Sequence, residues 1–468
     1  MRQHGARFLA EILSGWEKCT KILYIIAFLN EIKINIRRIT PEQQVFLRNA
    51  AFNYGGIIWR AALSILLVPV YVRHLPSEQW GVVAFCMALQ SFLTLVDAGL
   101  AQILPRDIAR AGASANLCAN TFAKFSRMYF FLACLVFGLG QISIPWLTSS
   151  WLKLDGIAPS DLAFTLRLAF VLFFFQFWNT VHLGYWNGMQ QQHRSNISQV
   201  VFATLKHGGA LLMVLLWSPS ADSYLIAFSS GAAIEWLCNR RLIANHLPHP
   251  PYKPTFSELY ATARSTVTLS LGVLLGILVS QLDKLLLPGI VSIDNYGRYA
   301  AVAGLGLAFL QFQSPVVSAL YPRLAKELPV GATKSLHTLV LALIATNILP
   351  CLIAAATASW LLRLWIHSPI IVSIGTLPLQ LILLSIAVNS AYQIFYQQIL
   401  VFGDGRYVMC INACNVIVVA VFIAFTAPHL GIVAGGAGWL LGACVQLTAG
   451  LIWVFFRKPR MIKTKSVS

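Results

Sequence analysis

The chain has 468 residues, of which 57% are hydrophobic and 11% charged, and its mean hydropathy is +0.70. Soluble globular chains carry about 25% charged residues, so this composition excludes a water-soluble enzyme, a disordered chain and a disulfide-stapled secreted domain. An integral membrane protein remains. The net charge of +18 would suggest nucleic-acid binding in a soluble domain, but in a membrane protein its meaning depends on where the basic residues lie relative to the spans.

The first 44 residues precede the first stretch long enough to cross a bilayer. Residues 22–29 form a short apolar run that ends at Asn30 and Glu31 and has basic residues on both sides. This pattern favours an interfacial amphipathic helix, or a start codon assigned too early, over a membrane span or a cleaved signal. We expect no specific function from this extension, 1–44.

Twelve stretches of the length and apolar character that a spanning helix needs follow one another along the chain. They are 49–72, 80–103, 122–147, 162–187, 196–217, 222–244, 265–288, 297–321, 335–357, 377–402, 408–427 and 431–456. The one longer polar connection, 245–264, divides them six and six. The sequence therefore predicts an all-α integral membrane protein with a first lobe at 45–246, a cytoplasmic linker at 247–263, a second lobe at 264–457 and a basic cytoplasmic tail at 458–468.

The basic residues are distributed very unevenly between the two sides of these predicted spans. With the amino terminus in the cytoplasm, 26 Lys and Arg residues fall in inward segments and 5 in outward loops, while Arg60, Lys206 and Lys284 fall within spans. Such an asymmetry supports the predicted spans and their orientation, with both termini in the cytoplasm. The high positive charge thus reflects topology, and we expect no nucleic-acid partner.

The two halves of the sequence share landmarks at a nearly constant offset, which indicates an internal repeat. The matched positions lie 215 to 217 residues apart: Trp80-Gly81 with Tyr296-Gly297, Pro105-Arg106 with Pro322-Arg323, Gly188 with Gly403, and Asn196 with Asn412. Six spans per copy give both copies the same orientation, as in transporters with parallel repeats. Two such six-helix lobes are expected to enclose a central cavity and to alternate access by rocking.

Ionisable residues inside spans are costly and are therefore functional candidates. Arg60 shares a small, polar helical stripe with Asn53, and its guanidinium could grip phosphate oxygens or serve only to pair helices. Asp283 and Lys284 lie near the outer end of span 7. One interpretation makes Asp283 a protonatable coupling group and Lys284 a phosphate contact, and the other makes them a structural ion pair.

Two further groups of polar residues lie within the spans. Lys206 in span 5 and Glu235 in span 6 are expected to pair across adjacent helices; substrate binding by Lys206 and ion coupling by Glu235 are the functional alternatives. Asp97 is expected to anchor to Arg106 or Arg110.

Span 10 carries a polar face at helical spacing, formed by Asn389, Gln393, Tyr396 and Gln397. Amides both donate and accept hydrogen bonds and suit sugar hydroxyls, although bonding between helices is the alternative. The sequence contains no metal motif, nucleophile elbow, phosphate-binding glycine loop or ATPase motif, so we expect no cofactor and no enzymatic activity.

Several short motifs, in this order and spacing, resemble the oligosaccharide flippases of the polysaccharide transporter family. This family is part of the superfamily that also contains lipid II flippases and multidrug exporters, and the resemblance covers about residues 45–456. The motifs are the Asn53-Tyr54 helix, Glu78-Gln79-Trp80-Gly81, Asp97-Ala98-Gly99-Leu100, Pro105-Arg106, Gln281-Leu282-Asp283-Lys284-Leu285, Asn295-Tyr296-Gly297-Arg298-Tyr299, Ala319-Leu320-Tyr321-Pro322-Arg323-Leu324 and Leu364-Trp365-Ile366.

The resemblance implies alternating-access export of undecaprenyl-diphosphate-linked oligosaccharide units across the bacterial inner membrane. Such units supply O-antigen for lipopolysaccharide, capsule or exopolysaccharide. Partners would be membrane lipids and the polymerase and chain-length machinery of the same pathway. Lipid II flippases use cavity arginines in their first lobe, which supports Arg60 as a substrate contact.

Two alternatives compete with the flippase. A cation-coupled multidrug exporter of the same superfamily would place acids against a hydrophobic cavity, whereas the cavity candidates here are largely basic. A membrane glycosyltransferase or polymerase would need a long outer loop with catalytic residues. The outward connections 148–161 and 358–376 are short and lack a carboxylate pair.

Overall fold

The computed structural model describes residues 41–97, 100–112, 114–153, 157–247, 254–255, 257–259, 275–276 and 278–457. Those from Phe52 onward form one compact unit. The described residues contain sixteen α-helices: α1 Pro41–His74, α2 Ser77–Asp97, α3 Leu100–Ala111, α4 Ala115–Trp146, α5 Pro159–Gly188, α6 Gln192–Leu216, α7 Ala221–Ala244, α8 Leu282–Leu286, α9 Ile293–Leu310, α10 Gln313–Glu327, α11 Lys334–Leu343, α12 Leu349–Ala356, α13 Ala358–Ile366, α14 Pro369–Phe402, α15 Gly405–Leu430 and α16 Val433–Ile452.

Several helices begin or end at residues that suit the backbone N–H and C=O groups left free at a helix end. The hydroxyls of Ser114, Ser220 and Ser292 accept backbone N–H bonds at the starts of α4, α7 and α9, as serine does at an N-cap. Gly403 ends α14 with a φ of +82°, a conformation that glycine adopts without a steric penalty.

The predicted all-α membrane fold is confirmed, because nine helical segments of the described chain are long and apolar enough to cross a bilayer. Helices α2 and α7, of 21 and 24 residues, also reach the length of a bilayer core at 1.5 Å per residue. The first part of the seventh predicted span, 265–288, falls outside the described residues, so the total of twelve stays a prediction. Residues 1–40, most of the linker 247–263 and the tail 458–468 are likewise outside them.

One predicted span, 297–321, was wrong in detail, because it consists of two helices. Helix α9 ends at Leu310 and α10 begins at Gln313, with a turn at 311–312 between them. The apolar run continues across this turn, so hydropathy alone does not register the interruption. In the first half, α2 ends at Asp97 and α3 begins at Leu100, and the two residues between them lie outside the described ones.

Each half packs around one long helix, α5 in the first half and α14 in the second. Glycines let the neighbouring helices approach these two helices closely. In the first half, a Cβ at Gly140 of α4 would lie 2.3 Å from the Phe170 ring of α5. In the second half, a Cβ at Gly436 of α16 would lie 2.8 Å from the Pro378 carbonyl of α14. Close packing of this kind is how helices associate within membranes.

The two halves touch where α2 crosses α9. A Cβ at Gly81 would lie 2.1 Å from the carbonyl oxygen of Ile293, and one at Gly297 would lie 2.7 Å from the Cα of Gly81. The indole Nε1 of Trp80 donates to the Gly297 carbonyl over 2.9 Å. The landmarks that the repeat made equivalent, Trp80-Gly81 and Tyr296-Gly297, therefore meet each other in space.

A second tryptophan joins the halves through a carbonyl that a proline leaves free. Pro69 lies inside α1 and has no N–H, so the carbonyl of Ile65, four residues earlier, lacks its helical donor. Trp365 of α13 donates its indole Nε1 to that oxygen over 2.7 Å. We call the set Ile65, Trp80, Gly81, Gly297 and Trp365 the inter-half contact. In the topology predicted from the charges, which stays a prediction, this contact belongs to the outer side.

The surface of the helices is strongly apolar, as contact with lipid requires. Ile142, Leu216, Phe425 and Phe455 are among many large side chains that are mostly exposed. Soluble monomers do not expose apolar surface on this scale. Trp217, directly after α6, is 79% exposed, in the position that tryptophans take at membrane interfaces.

Candidate functional site

Arg60 lies within α1 at half-burial, and one of its guanidinium nitrogens lacks a partner. Its Nη1 is buried and makes no hydrogen bond within the described residues. Gly56, one turn earlier, leaves room for it, since a Cβ there would lie 3.5 Å from Nη1 and 2.9 Å from the Oδ1 of Asn196. A buried guanidinium N–H without an acceptor is costly, so this nitrogen retains an unused capacity to donate a hydrogen bond.

Asn53, which the sequence placed on the same stripe as Arg60, is engaged with α6. Its Nδ2 donates to the Gln192 side chain, and its Oδ1 accepts from the Nδ2 of Asn196. These bonds fasten α1 to α6. Asn53 thus fits the alternative of bonding between helices more closely than direct substrate binding.

Lys206 and Glu235 form the predicted pair across α6 and α7. The Lys206 Nζ lies 2.9 Å from the Glu235 Oε2, and both side chains are largely buried. Gly231 makes room for the lysine stem, since a Cβ there would lie 2.4 Å from the Cγ of Lys206. The expected pairing is confirmed, and within a membrane it removes the cost of two isolated charges.

The second oxygen of Glu235 is also occupied. Asn179 of α5 donates its Nδ2 to the Oε1 of Glu235 over 3.1 Å, and Asn239 donates to the Oδ1 of Asn179 over 3.1 Å. Arg60 lies within electrostatic range of Glu235. Two cations therefore share one carboxylate, which leaves this part of the first half with one positive charge in excess.

In the second half, Asp283 and Lys284 do not pair with each other. The Oδ2 of Asp283 accepts from the Tyr299 hydroxyl over 2.8 Å, while its Oδ1 is buried without a partner in the described residues. The Lys284 Nζ donates to the Oε1 of Gln281 over 3.1 Å. The interpretation as a structural ion pair is wrong, because adjacent helix positions point about 100° apart and these two side chains reach different partners.

A cavity of about 140 Å³ lies next to Asp283, within the second half. Its polar lining includes Ser280, Asp283, Asn389, Asn415 and Gln446. Both side-chain polar atoms of Asn415 are buried and have no hydrogen-bond partner in the described part of the chain. The space and the unpaired polar atoms suit several water molecules or a hydrated ion.

The polar face predicted on α14 serves more than one purpose. Asn389 donates its Nδ2 to the Gln446 side chain of α16 over 3.0 Å and lines the cavity. Gln397 donates to Gln393 over 3.1 Å within the helix, and Tyr396 packs against a separate apolar cluster. The face is therefore largely satisfied within the protein.

Sequence reasoning missed Asn415 and Gln446, because single amides in apolar helices give little pattern. It also predicted the wrong partner for Asp97. The Asp97 carboxylate accepts from the hydroxyl of Tyr129 on α4, while Arg106 pairs with its neighbour Asp107 at 3.1 Å. That tyrosine is 32 residues away on another helix, beyond what local spacing can indicate.

Comparison with models of known families shows which family the chain belongs to. The model of the family described as polysaccharide biosynthesis protein matches residues 46–327, more than half of the chain. The chain belongs to the polysaccharide biosynthesis protein family. The resemblance stated from its motifs is therefore confirmed. No curated protein matches this family member by sequence.

Solved structures show that this family member has the fold of the MOP superfamily. An inward-facing multidrug resistance MATE family transporter matches with a TM-score of 0.70 and 14% identity, over 86% of this chain and 96% of that chain. The lipid II flippase MurJ, in an inward closed conformation, matches with a TM-score of 0.69 and 9% identity over 90% of each chain. At these identities the likeness concerns the fold.

Proposed function

We propose that the protein is an alternating-access flippase that moves undecaprenyl-diphosphate-linked oligosaccharide units, for O-antigen, capsule or exopolysaccharide, across the bacterial inner membrane. The family and the membrane fold support a transporter of polysaccharide precursors. The observation that carries the proposal is the buried Nη1 of Arg60, which has no hydrogen-bond partner in the part of the chain that the structure describes. An anionic headgroup is the ligand that such a group needs.

The charges of the first half support a diphosphate as that headgroup. Arg60 and Lys206 together exceed the charge of Glu235 by one, and the Glu235 oxygens are already bonded to Lys206 and Asn179. Arginine binds phosphate oxygens bidentately. Lys284, whose Nζ bonds to the neutral acceptors Gln281 and Ser280, supplies a second cation from the other half.

The test is reconstitution of the full chain in vesicles with a fluorescent diphosphate-lipid oligosaccharide. Loss of a hydrogen bond to a charged group costs about 1.5–3 kcal/mol, so Arg60→Ala should weaken substrate affinity roughly 10- to 150-fold, and Arg60→Lys less. Arg363→Ala, an exposed arginine of α13, is the matched control. Equal transport by Arg60→Ala and the control would refute the proposal.

We assign ion coupling to Asp283 rather than to Glu235. The free Oδ1 of Asp283 and the neighbouring cavity leave room for a proton or cation to come and go, whereas Glu235 is held by Lys206 and Asn179. Asp283→Asn should abolish the dependence of transport on an ion gradient while leaving binding of the diphosphate lipid unchanged. An Asp283→Asn variant that still responds to the gradient would contradict the assignment.

The same vesicles separate the two alternatives. A multidrug exporter would move a cationic dye and ignore the diphosphate lipid, and the excess positive charge beside Arg60 disfavours such a cargo. A glycosyltransferase or polymerase would lengthen the glycan. Mass spectrometry of the recovered lipid therefore distinguishes transport, which leaves its mass unchanged, from synthesis, which does not.

A further inference from the structure

A second cavity, of about 370 Å³, lies beside the inter-half contact and is walled by both halves of the molecule. The first half contributes the end of α1 and the start of α2, and the second half contributes the start of α9 and the turn between α13 and α14. Its polar lining includes Arg73, Ser77, Arg298, His367 and Ser368.

The polar lining of this cavity is basic. Arg73 is exposed and makes no salt bridge within the described residues, and Arg298 pairs with Asp294 at 2.6 Å. Two arginines are thus balanced by one carboxylate, and no acidic side chain belongs to the lining itself. His367 adds an imidazole from the second half, so an anion entering the cavity meets donors from both halves.

Hydroxyls and backbone donors add to these side chains. Helix α2 begins at Ser77 and the 34-residue helix α14 begins at Pro369, both on the wall of the cavity. Ser368 at the N-cap of α14 makes no side-chain capping bond, so its hydroxyl is available to a ligand. The positive ends of the two helix dipoles reinforce the attraction for an anion.

We propose that this cavity binds a phosphate group and that the bound phosphate holds the two halves together on the predicted outer side. The apolar side chains Val72, Ile370 and Ile371 line the rest of the space and suit the first part of the acyl chains of a phospholipid. Because Arg73 and His367 belong to different halves, separation of the halves dismantles the site. Phosphate binding therefore favours the arrangement in which the two halves are in contact, independently of the substrate proposed above.

The experiment titrates the purified full chain with inorganic pyrophosphate and, in a second arm, places it in nanodiscs of phosphatidylglycerol or of an uncharged galactolipid. Thermal unfolding and binding are measured for the wild type, Arg73→Gln, His367→Asn and the control Arg363→Gln. Asparagine is chosen because His367 has a φ of +58°, which asparagine tolerates.

We expect the wild type and Arg363→Gln to be stabilised and the two cavity variants to lose at least about five-fold in affinity, since each removes one ligand contact. Stabilisation by pyrophosphate alone identifies a soluble anion, and stabilisation by phosphatidylglycerol alone identifies a lipid headgroup. Both cavity residues are exposed, so their replacement should leave the fold intact. Equal ligand affinity in Arg73→Gln and Arg363→Gln, or no stabilisation by either phosphate source, would overturn the proposal.

Discussion

Replacing Gly81 with alanine tests whether the inter-half contact holds the molecule in one arrangement. The added methyl group would lie 2.1 Å from the Ile293 carbonyl oxygen, whereas close carbon–oxygen contacts are about 3.3–3.6 Å. The two helices must therefore separate by roughly 1 Å. Overpacking of this kind costs about 1–3 kcal/mol. The ratio of molecules in which the inter-half contact is formed to those in which it is broken should therefore fall roughly 5- to 150-fold.

Distances between spin labels on the two halves would measure this shift. Ser150 and Arg363 are exposed and belong to different halves, so labelled cysteines at these positions, with the native exposed cysteines replaced, report on the predicted outer side. Gly304→Ala is the matched control, because it lies on α9 and a Cβ there meets no described atom within 4 Å. Identical distance distributions for Gly81→Ala and Gly304→Ala would refute the reasoning.

Two further predictions concern buried partners and are measured by unfolding of the purified protein. Trp365→Phe leaves the Ile65 carbonyl without a donor and should lower the free energy of unfolding by about 1–3 kcal/mol. Adding Pro69→Ala restores a backbone N–H for that carbonyl and should recover part of the loss. No recovery in the double variant would contradict the assigned role of the proline. Glu235→Gln leaves the Lys206 charge buried and unpaired and should cost about 3–5 kcal/mol. Adding Lys206→Met should recover most of this cost, and an additive double variant would argue against the pair.

The positions of the long helices could be predicted because the length of an apolar run can be read directly from the local sequence. Helix α5, at Pro159–Gly188, was expected at 162–187, since its apolar run stops where polar residues begin. The interruption after Leu310 could not be read in this way. A break that keeps both flanking segments apolar changes the direction of the backbone without changing hydropathy.

Pairing of side chains was predictable only where few combinations were available. Lys206 and Glu235 lie on consecutive helices joined by a short turn, so their contact followed from topology. Asp97 had two nearby arginines, and neither is its partner, because Tyr129 reaches it from α4. The indole of Trp365 meets Ile65 300 residues away, and only the proline in α1 gave a sign that a carbonyl was free.

The repeat preserves packing while the chemistry of the two halves differs. In the first half Asn196 approaches Gly56, and in the second half Asn412 approaches Gly276, where a Cβ would lie 3.2 Å from its Nδ2. One turn after these glycines the first half carries Arg60 and the second half carries Ser280, which lines the cavity beside Asp283. The first half thus presents a guanidinium nitrogen and the second half a carboxylate oxygen that have no hydrogen-bond partner among the described residues, which is why we assign the main headgroup contact to Arg60 and ion coupling to Asp283.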